Sequence, residues 1–136
     1  IVHALESHDV FVYLGHGSGA YQYYNPEKMP KEVKRYAVAL LMGCSSGALN
    51  EQGDYEPTGN VQSFILANSP CVVANLYDVT SRELDKMTQR LIDTCLKSKT
   101  DTVSHSLVRA REECRLPYLM GSATICYGLP VKLHTL

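Results

Sequence analysis

Two glycine-flanked stretches decide the fold of this chain: Tyr13–Gly19 (YLGHGSG) and Leu41–Gly47 (LMGCSSG). Each follows a run of apolar and β-branched residues, Val10–Val12 and Tyr36–Leu40, and each run predicts a buried strand. Glycine lets the backbone turn sharply where the strand ends. If the two strands are parallel neighbours, a histidine and a cysteine meet at the carboxyl edge of one sheet, where α/β proteins place their sites.

The composition of the 136-residue chain is that of an ordinary globular domain, with 45% hydrophobic residues, 20% charged residues and a formal net charge of −1. This length suffices for one domain with a core. The near-neutral charge argues against nucleic acid or an anionic membrane as the main partner. No apolar run approaches the roughly 20 residues of a membrane span. Because the sequence begins at Ile1, we expect it to be a piece of a larger protein.

The five cysteines, an odd number, show no tight disulfide framework. Most lie in apolar contexts, so we expect free thiols that pack as small hydrophobic side chains in a reducing compartment, the cytosol or nucleus. No two Cys or His residues have the close spacing of a structural zinc site, and we expect neither a metal nor a cofactor.

Apolar periodicity and turn signals predict the elements of the first half. We expect a helix to end near Ser7, a short helical turn at Pro30–Arg35, and a helix capped by Thr58. Residues 50–57 contain several turn formers, which predicts an irregular connection.

The second half is predicted to contain two long helices between two strands. The strand Cys71–Leu76 is nearly all apolar, as expected for a strand covered on both faces. One helix begins with a capping box, Thr80–Glu83, another begins near Thr102, and the last strand is Ala123–Tyr127. The inward-facing positions at helical spacing are Leu84, Met87, Leu91 and Cys95 on the first helix and Val103, Leu107, Ala110 and Cys114 on the second.

The resulting order, β-β-α-β-α-α-β with long crossovers, predicts an α/β fold whose mostly parallel sheet has helices on both faces. Four strands are few for such a sheet. We therefore expect further N-terminal strands outside this sequence.

His16 and Cys44 are candidates for a base and a nucleophile. A free cysteine has a pKa of about 8.5, so an imidazole that takes the thiol proton or stabilises the thiolate would activate it. The backbone amides of Gly17 and Cys44 are candidate donors to a developing oxyanion, for which a single donor contributes about 3–4 kcal/mol. The alternative interpretation is a simple Gly-His-Gly turn and a core cysteine at a strand end.

Two acids follow the strand Cys71–Leu76: Asp78 just after it, and Asp85 in the first turns of the next helix. They are candidates for a pocket that binds a cationic side chain, because truncating one partner of a desolvated charge pair typically costs about 2–5 kcal/mol. The alternative is that both acids only complement the helix dipole.

Gly43–Gly47 also matches the Gly-x-Ser-x-Gly nucleophile elbow of serine hydrolases, with Ser45 as the nucleophile. An acid and a histidine follow in the usual chain order. The elbow requires a helix directly after the serine, and residues 50–57 are poor helix formers. His105, one candidate base, is expected on the exposed face of its helix.

These segments, in this order, resemble the protease domain of separase. The resemblance runs over nearly the whole chain and is carried by Tyr13–Gly19, Leu41–Gly47, Pro70–Thr80, Tyr118–Ala123 and Tyr127–Val131. It implies a caspase-like three-layer α/β sandwich, of which residues 1–136 would be the C-terminal part.

The resemblance also implies a cysteine endopeptidase of the caspase–gingipain clan. His16 would be the catalytic base and Cys44 the nucleophile, with the amides of Gly17 and Cys44 as the oxyanion hole. The family cleaves after arginine, and Asp85 best matches its arginine pocket, with Asp78 second.

The family's main substrate is the kleisin subunit of cohesin, whose cleavage releases sister chromatids at anaphase, and a securin-type inhibitor binds as a pseudosubstrate. We therefore expect the cytoplasm and nucleus as the location, with spindle association in mitosis. Two residues depart from the family pattern: Tyr77 stands where tryptophan is usual, and Ser81 where an aspartate is common. The alternatives are another caspase-clan cysteine peptidase, a serine hydrolase that uses Ser45, and an inactive caspase-like scaffold.

Overall fold

A four-stranded sheet with helices on both faces forms the centre of the molecule. The computed structural model describes residues 1–32 and 37–134. The strands are β1 (Val10–Gly15), β2 (Val38–Gly43), β3 (Leu49–Gln52), β4 (Tyr55–Gly59), β5 (Cys71–Asn75) and β6 (Thr124–Gly128). The helices are α1 (Val2–Ser7), α2 (Met29–Glu32), α3 (Asn60–Leu66), α4 (Ser81–Lys97) and α5 (Val103–Ala110), with short 3-10 turns at Arg111–Glu113 and Gly121–Ala123.

The sheet has the strand order β1-β2-β5-β6, and only β6 runs antiparallel to its neighbour. Its register pairs Val10 with Val38 and Gly15 with Gly43, so β1 and β2 end side by side. Strands β2 and β5 are buried along their whole length. Because both faces of these strands are covered, their sequences are continuously apolar rather than alternating. The predicted mostly parallel α/β sheet is confirmed.

Side chains from the two faces of β2 build two separate cores. Val38, Leu40 and Met42 pack with α4 and α5 on one side, here called the α4 face, and Ala39 and Leu41 pack with α3 on the other, the α3 face. Successive residues of a strand point to opposite sides, which produces this division. All the predicted inward positions of α4 and of the segment from Val103 to Cys114 are buried in the α4-face core.

The connection after Cys44 is more regular than predicted, because β3 and β4 form an antiparallel hairpin. Nearly all of its residues are exposed, so the apolar alternation that marks a strand is missing from the sequence. Gly53, at φ +62°, lies in the tight turn between the two strands. Thr58, predicted as a helix cap, lies in β4, and Gly59 is the N-cap of α3.

The predicted capping box at Thr80–Glu83 is wrong. Thr80 is the N-cap of α4 but makes no side-chain capping hydrogen bond. The buried carboxylate of Glu83 instead accepts a hydrogen bond from the backbone N–H of Arg115 at 2.6 Å. The Glu83 side chain therefore bonds to a residue distant in sequence instead of capping its own helix. The next helix begins where predicted, and Thr102 is its N-cap, since the Thr102 hydroxyl accepts from the His105 N–H at 3.3 Å.

The helical turn predicted at Pro30–Arg35 is observed in part as α2. Its last residues, 33–35, and Tyr36 at the start of the predicted second strand lie outside the described residues. In the part of the chain that the structure describes, no helix has the length and apolar character needed to cross a membrane.

Candidate active site

The parallel ends of β1 and β2 bring two loops together, here called the histidine loop (residues 16–24) and the cysteine loop (residues 44–48). Because Gly15 is paired with Gly43, residues 16 and 44 follow at neighbouring positions of the same sheet edge. A Cβ atom at Gly43 would overlap the carbonyl oxygen of Gly17 and lie 2.9 Å from that of Gly15. The histidine loop is therefore in backbone contact with the end of β2, directly before the cysteine loop, at a distance that only glycine permits.

Tyr13 supports the exposed His16 from the strand below it. The Tyr13 hydroxyl donates to the carbonyl oxygen of His16 at 2.8 Å. Its phenol lies so close to Gly15 and Gly19 that a Cβ atom at Gly15 would be 2.6 Å from the hydroxyl oxygen and one at Gly19 would be 2.8 Å from the ring. Burial raises the pKa of Tyr13 above its ordinary value of 10.0. The phenol thus remains a protonated donor to the histidine loop.

Tyr24 supports the far end of the same loop. Its hydroxyl donates to the carbonyl oxygen of Ser18 at 2.9 Å and accepts from the side-chain amide of Asn60. Burial raises the pKa of Tyr24 to about 12, against the lowering effect of the Asn60 hydrogen bond. Two tyrosine hydroxyls thus donate to backbone carbonyls in the first part of the histidine loop, and one of them comes from the last residue of the loop itself.

Cys44 is half-buried, and its thiol donates to the carbonyl oxygen of Val79 at 2.9 Å. Ser45 follows with φ +51°, a left-handed conformation that is uncommon outside glycine. The Ser45 hydroxyl donates to Oδ1 of Asp78 at 2.5 Å. The loop after β5 thus contacts two successive side chains of the cysteine loop.

A buried polar network under the cysteine loop was missed by the sequence reasoning. Asn75, fully buried at the end of β5, donates from Nδ2 to the Gly43 carbonyl oxygen at 2.9 Å and accepts at Oδ1 from the Thr124 hydroxyl at 2.5 Å. The Ser46 hydroxyl donates to the Leu41 carbonyl oxygen at 2.5 Å and accepts from the Asn75 N–H at 3.1 Å. The sequence signal for this network is Asn75 itself, a single polar residue at the end of an otherwise apolar strand.

Both acids of the candidate arginine pocket are exposed on the β5 side of Cys44. Asp78 is held at the cysteine loop by the hydrogen bond from Ser45. Asp85 lies in the first turns of α4, the helix that begins two residues after Val79. Since Val79 accepts the thiol of Cys44, the segment that carries both acids is anchored at the cysteine.

Tyr77 stands where the family that the sequence resembles usually has tryptophan. Its hydroxyl makes contacts that an indole ring cannot fully reproduce. The hydroxyl donates to the Leu119 carbonyl oxygen at 2.5 Å and lies 2.9 Å from the Ser122 hydroxyl. It therefore joins the loop after β5 to the segment that precedes β6.

Ser45 lacks the structural setting of a nucleophile elbow. A turn and then β3 follow it, where the elbow requires a helix. Its hydroxyl donates to Asp78 directly rather than to a histidine. His105 lies on the exposed side of α5, as predicted. The serine-hydrolase interpretation therefore has no structural basis.

The other cysteines belong to the core, and all five thiols are free. Burial raises the pKa values of Cys95 and Cys114. The sulfur atoms of Cys71 and Cys126 lie 3.5 Å apart. Their hydrogen bond raises the pKa of Cys71 and lowers that of Cys126. Within the described part of the chain, no three His, Cys, Asp or Glu side chains are placed to hold a metal ion.

Among protein families, the model described as "Separin, protease domain" matches residues 1–84. Among curated proteins, the Separin of Saccharomyces cerevisiae is 37% identical over 136 residues, covering 94% of this chain and 8% of its own length. The Separin of Mus musculus is 39% identical over 133 residues, covering 97% of this chain and 6% of its own length. The chain thus spans less than a tenth of the length of these relatives.

Two solved structures of the Saccharomyces cerevisiae separase–securin complex, at 3.0 and 2.6 Å resolution, superpose on the chain with a TM-score of 0.88 each. They are 36% and 34% identical to it and match 97% and 98% of this chain, and 9% of each of those chains. The predicted caspase-like α/β fold class and the resemblance seen in the sequence are both confirmed.

Proposed function

Because the chain belongs to the separin protease-domain family, we propose that it carries the catalytic residues of a cysteine endopeptidase. The observation that carries the proposal is the close backbone approach of Gly17 to Gly43, which places the histidine loop against the end of β2 that leads into Cys44. In this arrangement Cys44 is the nucleophile and His16 is its base.

The reaction begins when His16 takes the proton of the Cys44 thiol, which exchanges its hydrogen bond to Val79 for one to the imidazole. The thiolate attacks the carbonyl carbon of the scissile bond. The backbone amides of Gly17 and Cys44 stabilise the oxyanion. The imidazolium then protonates the leaving amine, and water hydrolyses the thioester.

We assign the binding of an arginine before the scissile bond to Asp85, with Asp78 as its neighbour. Both carboxylates are exposed on the β5 side of the nucleophile, and one oxygen of Asp78 already accepts from Ser45. Ser81 stands where an aspartate is common in the family, so this chain has one negative charge fewer near the pocket. The assignment therefore places most of the arginine selectivity on Asp85.

The proposed substrate is the kleisin subunit of cohesin, cleaved to release sister chromatids at anaphase, and the proposed inhibitor is of the securin type. The similarity to a chain solved in a separase–securin complex supports this inhibitor. The proposed location is the cytoplasm and nucleus, with spindle association in mitosis.

The nucleophile is tested in the full-length protein with a peptidyl-arginine coumarin substrate. We expect Cys44→Ser and His16→Ala each to lower kcat/KM by at least about 1,000-fold. Cys126→Ser is the matched control, because it removes another partly exposed thiol, and it is expected to retain activity. Turnover that survives Cys44→Ser would contradict the thiol mechanism.

The pocket is tested by comparing substrates that end in arginine, lysine and aspartate. Asp85→Asn is expected to reduce the arginine preference by about 30-fold or more, the equivalent of a buried charge pair. Asp93→Asn, further along the same helix and paired with Lys97, should preserve it. A wild-type preference for aspartate would favour another caspase-clan peptidase. Failure of an arginine acyloxymethyl ketone to label Cys44 would favour an inactive scaffold.

A further inference from the structure

A cleft of about 860 Å³ opens beside the proposed nucleophile. Four elements form its walls: the histidine loop and its continuation, the cysteine loop, the β3–β4 hairpin, and α3. Ser18 from the histidine loop and Ser45 and Ser46 from the cysteine loop line the end nearest to Cys44. Its volume is in the range of about 300–1,000 Å³ that is typical of ligand sites.

The cleft and Asp85, the main acid of the proposed arginine pocket, lie towards opposite faces of the sheet, and the Ser45–Asp78 hydrogen bond joins the two sites. The thiol of Cys44 reaches Val79, whose side chain is part of the α4-face core, and Asp85 lies on α4 itself. The cleft instead lies against α3, which covers the other face of the sheet. A polypeptide whose arginine enters the pocket on the α4 side therefore continues past Cys44 toward the cleft.

The charge of the cleft favours a cationic occupant. Glu27 and Glu56 line it, and no lysine or arginine among the described residues does so. Both carboxylates are exposed, and within the described residues their one hydrogen bond is that which Glu27 Oε1 accepts from the Tyr21 hydroxyl at 3.3 Å. Apolar side chains, among them Pro57 and Leu66, complete the walls.

The floor of the cleft holds a polar atom that lacks a partner. Asn60 lines the cleft and is 9% exposed, and its Oδ1 has no hydrogen-bond donor within residues 1–32 and 37–134. Buried acceptors of this kind are usually satisfied by protein or by ordered water. The unsatisfied Oδ1 is itself almost completely shielded from solvent, so it is not an open contact for an occupant, and the carboxylates of the cleft carry the selectivity.

We propose that this cleft binds the substrate segment on the C-terminal side of the scissile bond, and that it selects a basic residue over an acidic one there. The inference rests on the proposed function, because it takes Cys44 as the point of cleavage. The occupant is thus the downstream half of the same polypeptide whose arginine is held on the α4 side.

The experiment uses the full-length protein and two kinds of substrate. A peptidyl-arginine coumarin has no residues after the scissile bond and tests only the proposed function. Internally quenched peptides with the same sequence up to arginine carry lysine, alanine or glutamate at the second and third downstream positions. We expect the lysine peptide to exceed the glutamate peptide in kcat/KM by about tenfold, the scale of two partly exposed charge pairs.

Variants of the two carboxylates locate this preference. Glu27→Gln combined with Glu56→Gln is expected to reduce the lysine-to-glutamate ratio to about twofold, and Glu56→Lys to invert it. Glu51→Gln is the matched control, because Glu51 is exposed on β3 but does not line the cleft. It should keep the wild-type ratio.

The two possible failures are distinguishable. Absence of coumarin cleavage by the wild-type protein would overturn the proposed function and with it this inference. Coumarin cleavage with equal rates for the lysine and glutamate peptides would overturn the inference alone. An unchanged ratio in the Glu27 and Glu56 variants would overturn it as well.

Discussion

The carbonyl oxygen of Gly17 occupies the space in which a side chain of Gly43 would begin. The contact joins two loops that follow neighbouring parallel strands, one carrying His16 and the other Cys44. It fixes how closely the backbones of the proposed base and nucleophile approach each other. A single hydrogen atom in place of a methyl group therefore decides the geometry of the site.

Gly43→Ala is expected to separate the two loops, because the added methyl group meets backbone atoms that cannot rotate away. A displacement of about 1 Å at a reacting group can cost about 100-fold in rate, and we expect at least that loss in coumarin cleavage. Gly53→Ala serves as the control. Gly53, unlike Gly43, has a positive φ, but a Cβ atom there would meet nothing within 4 Å, so a stability loss of about 1 kcal/mol with retained activity is expected. Equal activity of the two variants would contradict this account.

Asn75→Ala should impair both stability and turnover. The substitution removes the Nδ2 donor from the Gly43 carbonyl, which keeps the Ser46 N–H at 3.3 Å, and removes the acceptor of the buried Thr124 hydroxyl, at a cost of about 1–3 kcal/mol. Thr124→Ser, which keeps the hydroxyl, should remain close to wild type. The free energy of unfolding in urea measures the loss of stability, and the residual peptidase activity measures the loss of turnover. Additive effects of Asn75→Ala and Thr124→Val in a double-mutant cycle would argue against a network.

Glu83→Ala is expected to destabilise the protein by about 1–3 kcal/mol, since it leaves the Arg115 N–H without its acceptor. Thr80→Ala should change stability by less than about 0.5 kcal/mol, because Thr80 makes no side-chain cap. Thermal unfolding of the two variants provides the comparison. A larger loss of stability for Thr80→Ala than for Glu83→Ala would support the capping box predicted from the sequence.

Tyr24→Phe is expected to lower the free energy of unfolding by about 1 kcal/mol at neutral pH, because the hydrogen bonds of the hydroxyl are lost. The difference from wild type should then shrink at alkaline pH. The pKa of Tyr24 rises from 10.0 to about 12 in the folded state, so its contribution is complete below pH 10 and is lost as the pH rises through 12.

The measurement is the midpoint of thermal unfolding of both proteins between pH 8 and pH 12. Tyr118→Phe is the matched control, because Tyr118 is 97% exposed, and it should follow wild type at every pH. A gap between wild type and Tyr24→Phe that stays constant across this range would rule out the raised pKa as its cause.

Much of the architecture was predictable because burial leaves a strong mark on sequence. The stripe of Leu84, Met87 and Leu91 indicated α4 and its core face, and all three are buried. The β3–β4 hairpin left no such mark, since its residues face solvent on both sides and read as turn formers. This hairpin lines the cleft proposed to bind the substrate. Its part of the cleft was therefore the hardest to predict from the sequence.

Local sequence by itself indicated the proposed catalytic residues: glycine on each side of His16 and directly before Cys44 predicted sharp turns after two apolar strands, and the order of the segments indicated the family. Only the tertiary structure decided what those turns touch. The Gly17–Gly43 contact, the Asn75 bridge to Thr124 and the exchange of a helix cap for the Glu83–Arg115 hydrogen bond all join residues far apart in sequence. Such partners are selected by packing across the sheet and follow no local pattern.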